Sequence, residues 1–144
     1  MDRFEVDANI LLEILVNSQK RPLSNHLKKV LLMLSQGKLE FEVEQLVIHE
    51  TLYVLDKHYG FTREERADAI WKFLNVKGVE ASDIVRNAVK VYKATNLDFA
   101  DIFLAEKSKC KGTKVLTWDK GFKKMDAEYY TPKQVTISEE ATLF

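Results

Sequence analysis

The chain's strongest constraint is a repeated succession: a short strand-like run, then a longer segment with apolar residues at helical spacing. Phe4-Glu5-Val6 alternates and ends in Asp7, after which Ile10, Leu11, Ile14 and Leu15 recur on one helical face. Leu23, Leu27, Val30, Leu31 and Leu34 line a second helix that stops at Gly37, and Leu39 to Val43 reads as a brief strand. Helix resumes near Glu44 and continues to Tyr59, with Gly60 as its stop. Thr62-Arg63-Glu64-Glu65 has the form of a capping box, in which hydroxyl and carboxylate satisfy reciprocal free amides, and it opens a helix through Ile70, Trp71 and Leu74. Val79-Glu80-Ala81 is a weak strand. Ser82 caps a helix carrying Ile84, Val85, Ala88, Val89 and Tyr92, a further helix runs from Asp98 to Lys109, and Thr113 to Thr117 is a β-branched strand. Strands separated by helices imply a parallel sheet covered on both faces, so the expected fold is α/β: a three-layer α/β/α sandwich with a central, mostly parallel sheet. Val135 to Phe144 predicts a last strand and a loosely ordered end. The expected organisation is one domain over residues 1–135 with a tail over 136–144.

A chain of 144 residues suits one domain and buries roughly 68–70% of its unfolded surface. It needs no covalent staple. Cys110 is the single cysteine, so a disulfide scaffold and a zinc finger are both excluded. Met1 to Glu5 places charges where a signal peptide needs an apolar stretch, and the longest aliphatic run is only Val30 to Leu34. A cytoplasmic protein with no membrane association is therefore expected. Lys and Arg total 22, against 22 Asp and Glu, which removes the strongly basic footprint of a tight, nonspecific nucleic-acid binder.

Several carboxylates need a reason. Asp7 stands where a strand meets a helix, and in parallel sheets ligands bind beyond the carboxyl ends of the strands; taken alone, an N-cap role explains it better. Glu50 falls between Leu46 and Val54 on a helical projection, bordered by Val47 and Tyr53, so it interrupts an apolar stripe. On a buried face it must be paired, protonated or metal-bound, whereas at the rim its head reaches water. Asp98 and Asp101 share one face of a helix start, where like charges repel unless a cation lies between them; capping accounts in part for Asp98. Asp119 ends a strand, as Asp7 does, with a turn role before Gly121 as the alternative. Asn9 and Thr117 bring hydrogen-bonding groups to the same edge. Hard Mg²⁺ or Mn²⁺ is the cation such carboxylates select.

Four stretches together resemble the PIN-domain ribonucleases, in particular VapC-type toxins of toxin–antitoxin pairs: Val6-Asp7-Ala8-Asn9-Ile10-Leu11, His49-Glu50-Thr51-Leu52-Tyr53-Val54-Leu55, Leu97 to Ala105, and Val115-Leu116-Thr117-Trp118-Asp119-Lys120-Gly121-Phe122. The resemblance covers residues 3 to 135 and implies a PIN-like, Rossmann-like fold. It implies Asp7, Glu50, Asp101 and Asp119 as the catalytic, metal-holding acids, with Asn9, Asp98 and Thr117 in support. One or two Mg²⁺ or Mn²⁺ ions would activate a water for attack on an RNA phosphodiester. A homodimer and a small antitoxin are the partners it implies, for which the amphipathic 23–34 helix and one of two apolar arcs on the Glu50 helix, either the stripe beside the acid or Ile48, Leu52 and Leu55, are available, the other arc facing the sheet.

Lysines 107, 109, 111, 114, 120, 123 and 124 form a run opposed within that window only by Asp119. Lys114, Lys120, Lys123 and Lys124 are the candidate RNA-binding positions, with a solvated helix face as the alternative. Trp118 either stacks a base or packs, and Phe122 is expected to pack. Competing readings are a housekeeping RNA-processing nuclease, a Rossmann-like phosphohydrolase or receiver domain, and a noncatalytic protein-binding module. A haloacid-type hydrolase would want an acid where Asn9 stands.

Overall fold

The computed structural model describes residues 1–17 and 21–143, with side chains up to residue 137; Phe144, at the end of the expected tail, lies outside the described residues. The chain forms two compact units, Met1–Asn96 and Leu97–Phe144.

The first unit contains β1 (Asp2–Glu5), α1 (Ala8–Leu15), α2 (Asn25–Ser35), β2 (Leu39–Glu42), α3 (Gln45–Lys57), α4 (Arg63–Leu74), β3 (Val79–Glu80) and α5 (Asp83–Ala94). Its three strands lie parallel in the order β1-β2-β3, with Phe4 opposite Phe41 and Phe41 opposite Val79. The two-residue period of a strand buries Leu39, Phe41 and Val43 and leaves Glu40 and Glu42 on the other face, where Arg3 reaches them at 2.8 and 3.4 Å. Leu11, Leu34, Ile48, Leu55, Ile70, Leu74 and Val89 form the most deeply buried apolar layer.

The expected helix starts are present. Ser24 Oγ accepts from Leu27 N at 3.2 Å and Ser82 Oγ from Val85 N at 3.1 Å. At Thr62 both halves of the capping box form, Glu65 N donating to Thr62 Oγ1 at 3.1 Å and Thr62 N to Glu65 Oε1 at 2.9 Å. Gly78 precedes β3 with φ +91, and a Cβ there would lie 2.7 Å from Leu34 Cδ1. Thr51 is fully buried on α3, and its hydroxyl has no hydrogen-bond partner among the described residues.

The second unit contains α6 (Phe99–Lys111), β4 (Val115–Leu116), a 3-10 helix (Lys120–Met125), β5 (Tyr129–Tyr130) and α7 (Pro132–Leu143). Strands β4 and β5 pair in parallel, Val115 opposite Tyr129. Both units therefore carry the expected α/β character. The 3-10 helix and β5 were not expected, and α7 replaces the last strand predicted for Val135 onward. Its start follows capping-box logic: Thr131 N donates to Gln134 Oε1 at 2.8 Å, Gln134 N donates to Thr131 Oγ1 at 3.3 Å, and Pro132 takes the first helical position, where its missing amide costs nothing. The 3-10 helix obeys its three-residue period, burying Phe122 and Met125 on one edge and exposing Lys120 and Lys123 on another. No helix among the described residues is long and apolar enough to cross a membrane.

Candidate active site

In the first unit, Asp7 lies between β1 and α1, and its extended backbone (φ −78, ψ 155) makes it the N-cap of α1. Its Oδ1 accepts from Ala8 N at 2.7 Å, and its carbonyl accepts from Ile10 N and Leu11 N at 3.1 Å each. Burial of Ala8 and Leu11 fixes the first turn of α1, so the capping carboxylate is held at a strand's carboxyl end with its side chain open to solvent. Asn9, two residues on, is also exposed.

Glu50 is placed differently from the buried-stripe expectation. Helix α3 buries Ile48, Thr51, Leu52 and Leu55, whereas Leu46 is 63% and Tyr53 59% exposed and Glu50 between them faces solvent. The helix has two apolar arcs, and packing with α1 and α4 consumes the one that lacks the acid. The cost of burying a carboxylate therefore does not arise at Glu50. The exposed arc around it is apolar.

In the second unit Asp101 lies within electrostatic range of both Asp98 and Asp119. Asp98 takes the N-cap position of α6 with extended backbone, and its carbonyl accepts from Ile102 N at 3.0 Å, yet its side chain makes no capping hydrogen bond. The partial capping role expected for the Asp98 carboxylate is thus absent. Asp101 lies in the first turn, half-buried, above the anchoring Phe99 and Ile102. Asp119 follows β4. Its Oδ1 accepts from Gly121 N at 2.7 Å, and its own amide donates to Thr117 Oγ1 at 2.9 Å. The turn role expected for Asp119 is thus formed. Burial, then the charge of Asp98, then that of Asp119 raise the Asp101 carboxyl above the usual carboxylate range.

None of Asp7, Glu50, Asp98, Asp101 and Asp119 has an ion-pair partner among the described residues, while Asp68, Glu40 and Glu106 each hold a Lys or Arg at 2.8 to 3.0 Å. Among the described residues no group of three or more His, Cys, Asp or Glu could hold a metal ion. Mg²⁺ takes only one or two carboxylates from a protein and keeps several waters, so the donor chemistry of Asp101 and Asp119 is of the kind it accepts.

The lysine run divides. Lys109 Nζ donates to Met125 O at 3.1 Å and pairs with Glu106 at 3.0 Å, and Lys114 Nζ lies 3.9 Å from Glu128 and 5.3 Å from the centre of the Tyr130 ring. Lys107, Lys111, Lys120, Lys123 and Lys124 are exposed without an ion pair among the described residues. Phe122 packs, as expected, at 2% exposure. Trp118 does not pack. A cleft of about 570 Å³ in the first unit, lined by Leu15, Phe61, Glu65, Asp68 and Phe73, contains none of the site acids.

The raised Asp101 carboxyl has a consequence for stability. Between the ordinary Asp value and the raised one, the folded chain binds more protons than the unfolded, so stability falls as pH rises through that window. In metal-free buffer, Asp101→Asn should remove this dependence and gain a few tenths of a kcal/mol near pH 7, the half-exposed site being screened by water. Urea titrations of both proteins across pH 3–7 check this; a loss above about 1 kcal/mol would assign Asp101 to helix capping instead.

A family model described as PIN domain matches residues 4–128, running across both units. A VapC ribonuclease from Aquifex aeolicus (strain VF5) is 27% identical over 130 residues, covering 88% of this chain and 95% of that relative.

Proposed function

We propose that this chain, which belongs to the PIN domain family, is a metal-dependent endoribonuclease and the toxin of a toxin–antitoxin pair. The observation that supports the reading is that Asp101 feels the charges of both Asp98 and Asp119 and that none of the three has a cationic partner among the described residues, in a chain that also holds Asp7 at a strand end. Asp7, Glu50, Asp101 and Asp119 are the residues to hold Mg²⁺ or Mn²⁺. When bound, the ion supplies charge neutralisation at the scissile phosphate and acidifies a water.

The chain's own groups do the rest. Asp119 is oriented by Gly121 N and Thr117 Oγ1, so its carboxylate is preset and needs no reordering on binding. Asp7 keeps one oxygen on Ala8 N, which leaves the other to the ion. Half-burial of Asp101 strengthens every electrostatic contact it makes. The exposed lysines offset the repulsion that an acidic site exerts on a polyanion. Single-stranded or loop RNA is the substrate class, because its phosphate can enter such a site. A second copy of the chain and a small antitoxin are the proposed protein partners, and exposed Leu46 and Tyr53 give them apolar surface on α3.

Incubation with single-stranded RNA should give cleavage that EDTA abolishes and Mg²⁺ or Mn²⁺ restores. Mn²⁺ at ~100 times its Kd should also stabilise the wild-type chain by about 2.7 kcal/mol. Cleavage that persists in EDTA would overturn the metal assignment. Absence of both cleavage and stabilisation would favour a noncatalytic binding module.

A further inference from the structure

Trp118 is 71% exposed, the highest value of any aromatic side chain among the described residues. A tryptophan left in water forgoes a large burial gain. Its backbone surroundings are nevertheless fixed on both sides. Thr117 N donates to Tyr130 O at 2.9 Å, Asp119 N to Thr117 Oγ1 at 2.9 Å, and Gly121 N to Asp119 Oδ1 at 2.7 Å. The segment that follows is anchored by Phe122 and Met125, at 2% and 8% exposure. Trp118 is thus presented on an ordered support, one residue before a site carboxylate.

The charges beside it are equally uncommitted. Lys120 and Lys123 stand three apart on the 3-10 helix and so share an edge, with Lys124 next to them, all exposed and without an ion pair among the described residues. The two lysines of the run that have acid partners, Lys109 and Lys114, lie outside this segment. A protein-docking surface has few lysines at its centre. A flat aromatic face flanked by unpaired lysines matches a ligand that repeats planar bases and phosphates.

We propose that Trp118 is the stacking platform for one base of a single-stranded RNA bound at the Asp119 end of β4, with Lys120 and Lys123 on the adjoining phosphates. The inference rests on the ribonuclease reading and adds the substrate contact that sets register at its site. It makes Trp118 a positioning residue. Stacking tolerates any base, so sequence preference has to come from elsewhere.

The test uses a ten-nucleotide oligoadenylate and the full chain carrying Asp101→Asn, to prevent cleavage, and Trp71→Phe, which leaves Trp118 the only tryptophan. RNA should quench Trp118 emission saturably. Trp118→Ala should weaken the Kd, read by anisotropy of labelled RNA, about 5- to 100-fold, and Trp118→Phe should retain most of the affinity. Lys120→Gln and Lys123→Gln should each lower the slope of log affinity against log salt by about 0.7 while quenching persists. In the otherwise native enzyme, Trp118→Ala should raise KM far more than it lowers kcat. Unquenched emission, an unchanged Kd in Trp118→Ala, or a change of oligomeric state in that variant with RNA affinity intact would overturn the proposal. Failure of wild-type cleavage with quenching retained would count against the ribonuclease reading and for this contact. Normal cleavage with an unchanged KM in Trp118→Ala would count against this contact alone.

Discussion

Asp101→Asn should cleave RNA at least about 100-fold more slowly than the wild-type chain, because loss even of groups that merely orient a metal's ligands costs 10- to 100-fold. The same substitution leaves the fold intact. Phe99 and Ile102 anchor the first turn of α6 whatever stands at 101, and Asp101 itself makes no ion pair among the described residues. Activity and stability should therefore move in opposite directions, which is the signature of a site residue rather than a structural one. Asp68→Asn serves as the control. It removes an exposed pair with Lys93 at 2.8 Å, worth about 0–1 kcal/mol, and should leave cleavage unchanged. Initial rates on a labelled single-stranded RNA, with urea melts of the same preparations, check both halves. Equal rates for Asp101→Asn and wild type would remove Asp101 from the site.

Gly78→Ala should be the costliest single-methyl change in the first unit. At φ +91 an L side chain is strained by about 1–2 kcal/mol. The new Cβ would also meet Leu34 Cδ1 at 2.7 Å and Cγ at 3.3 Å, and Leu34 is 1% exposed, so it has no free space to enter. Overpacking of this kind adds roughly 1–3 kcal/mol. A total of about 2–5 kcal/mol is a large part of a typical domain's 5–15 kcal/mol. Gly37→Ala is the comparison, since it has a similar positive φ (+72) with nothing within 4 Å of the new atom, and it should lose only the backbone part. Urea midpoints for the two variants separate the terms.

What could be read from the residues depended on how local the deciding physics was. The capping bonds of Thr62 and Glu65 run to each other's backbone, so their capping box was visible in four letters and forms as read. Thr131 and Gln134 follow the same grammar, but the β-branched Val135, Thr136 and Ile137 beyond them suggested a strand, and the cap decided. Glu50 could not be placed by pattern. Helix α3 carries two apolar arcs, and only contact with α1 and α4 selects the one that faces inward. At Asp98 the N-cap position was legible, whereas the missing capping bond depends on side-chain direction, which no spacing encodes. The split within the lysine run likewise hinged on partners distant in sequence, such as Met125 for Lys109 and Glu128 for Lys114.

The parallel register of the first unit also governs when the chain can assemble. Asp2 pairs with Leu39 and Phe41 with Val79, so no strand of that sheet finds its neighbour until a whole crossover has been made. Helices with local caps can form on a nascent chain; the sheet has to wait, as in other folds dominated by nonlocal pairing. The proposed acids are spread in the same way, from Asp7 near the start to Asp119 near the end. At about 5–20 residues per second, translation separates those two by roughly 5–20 s. The four proposed acids would thus coexist only after translation has passed Asp119.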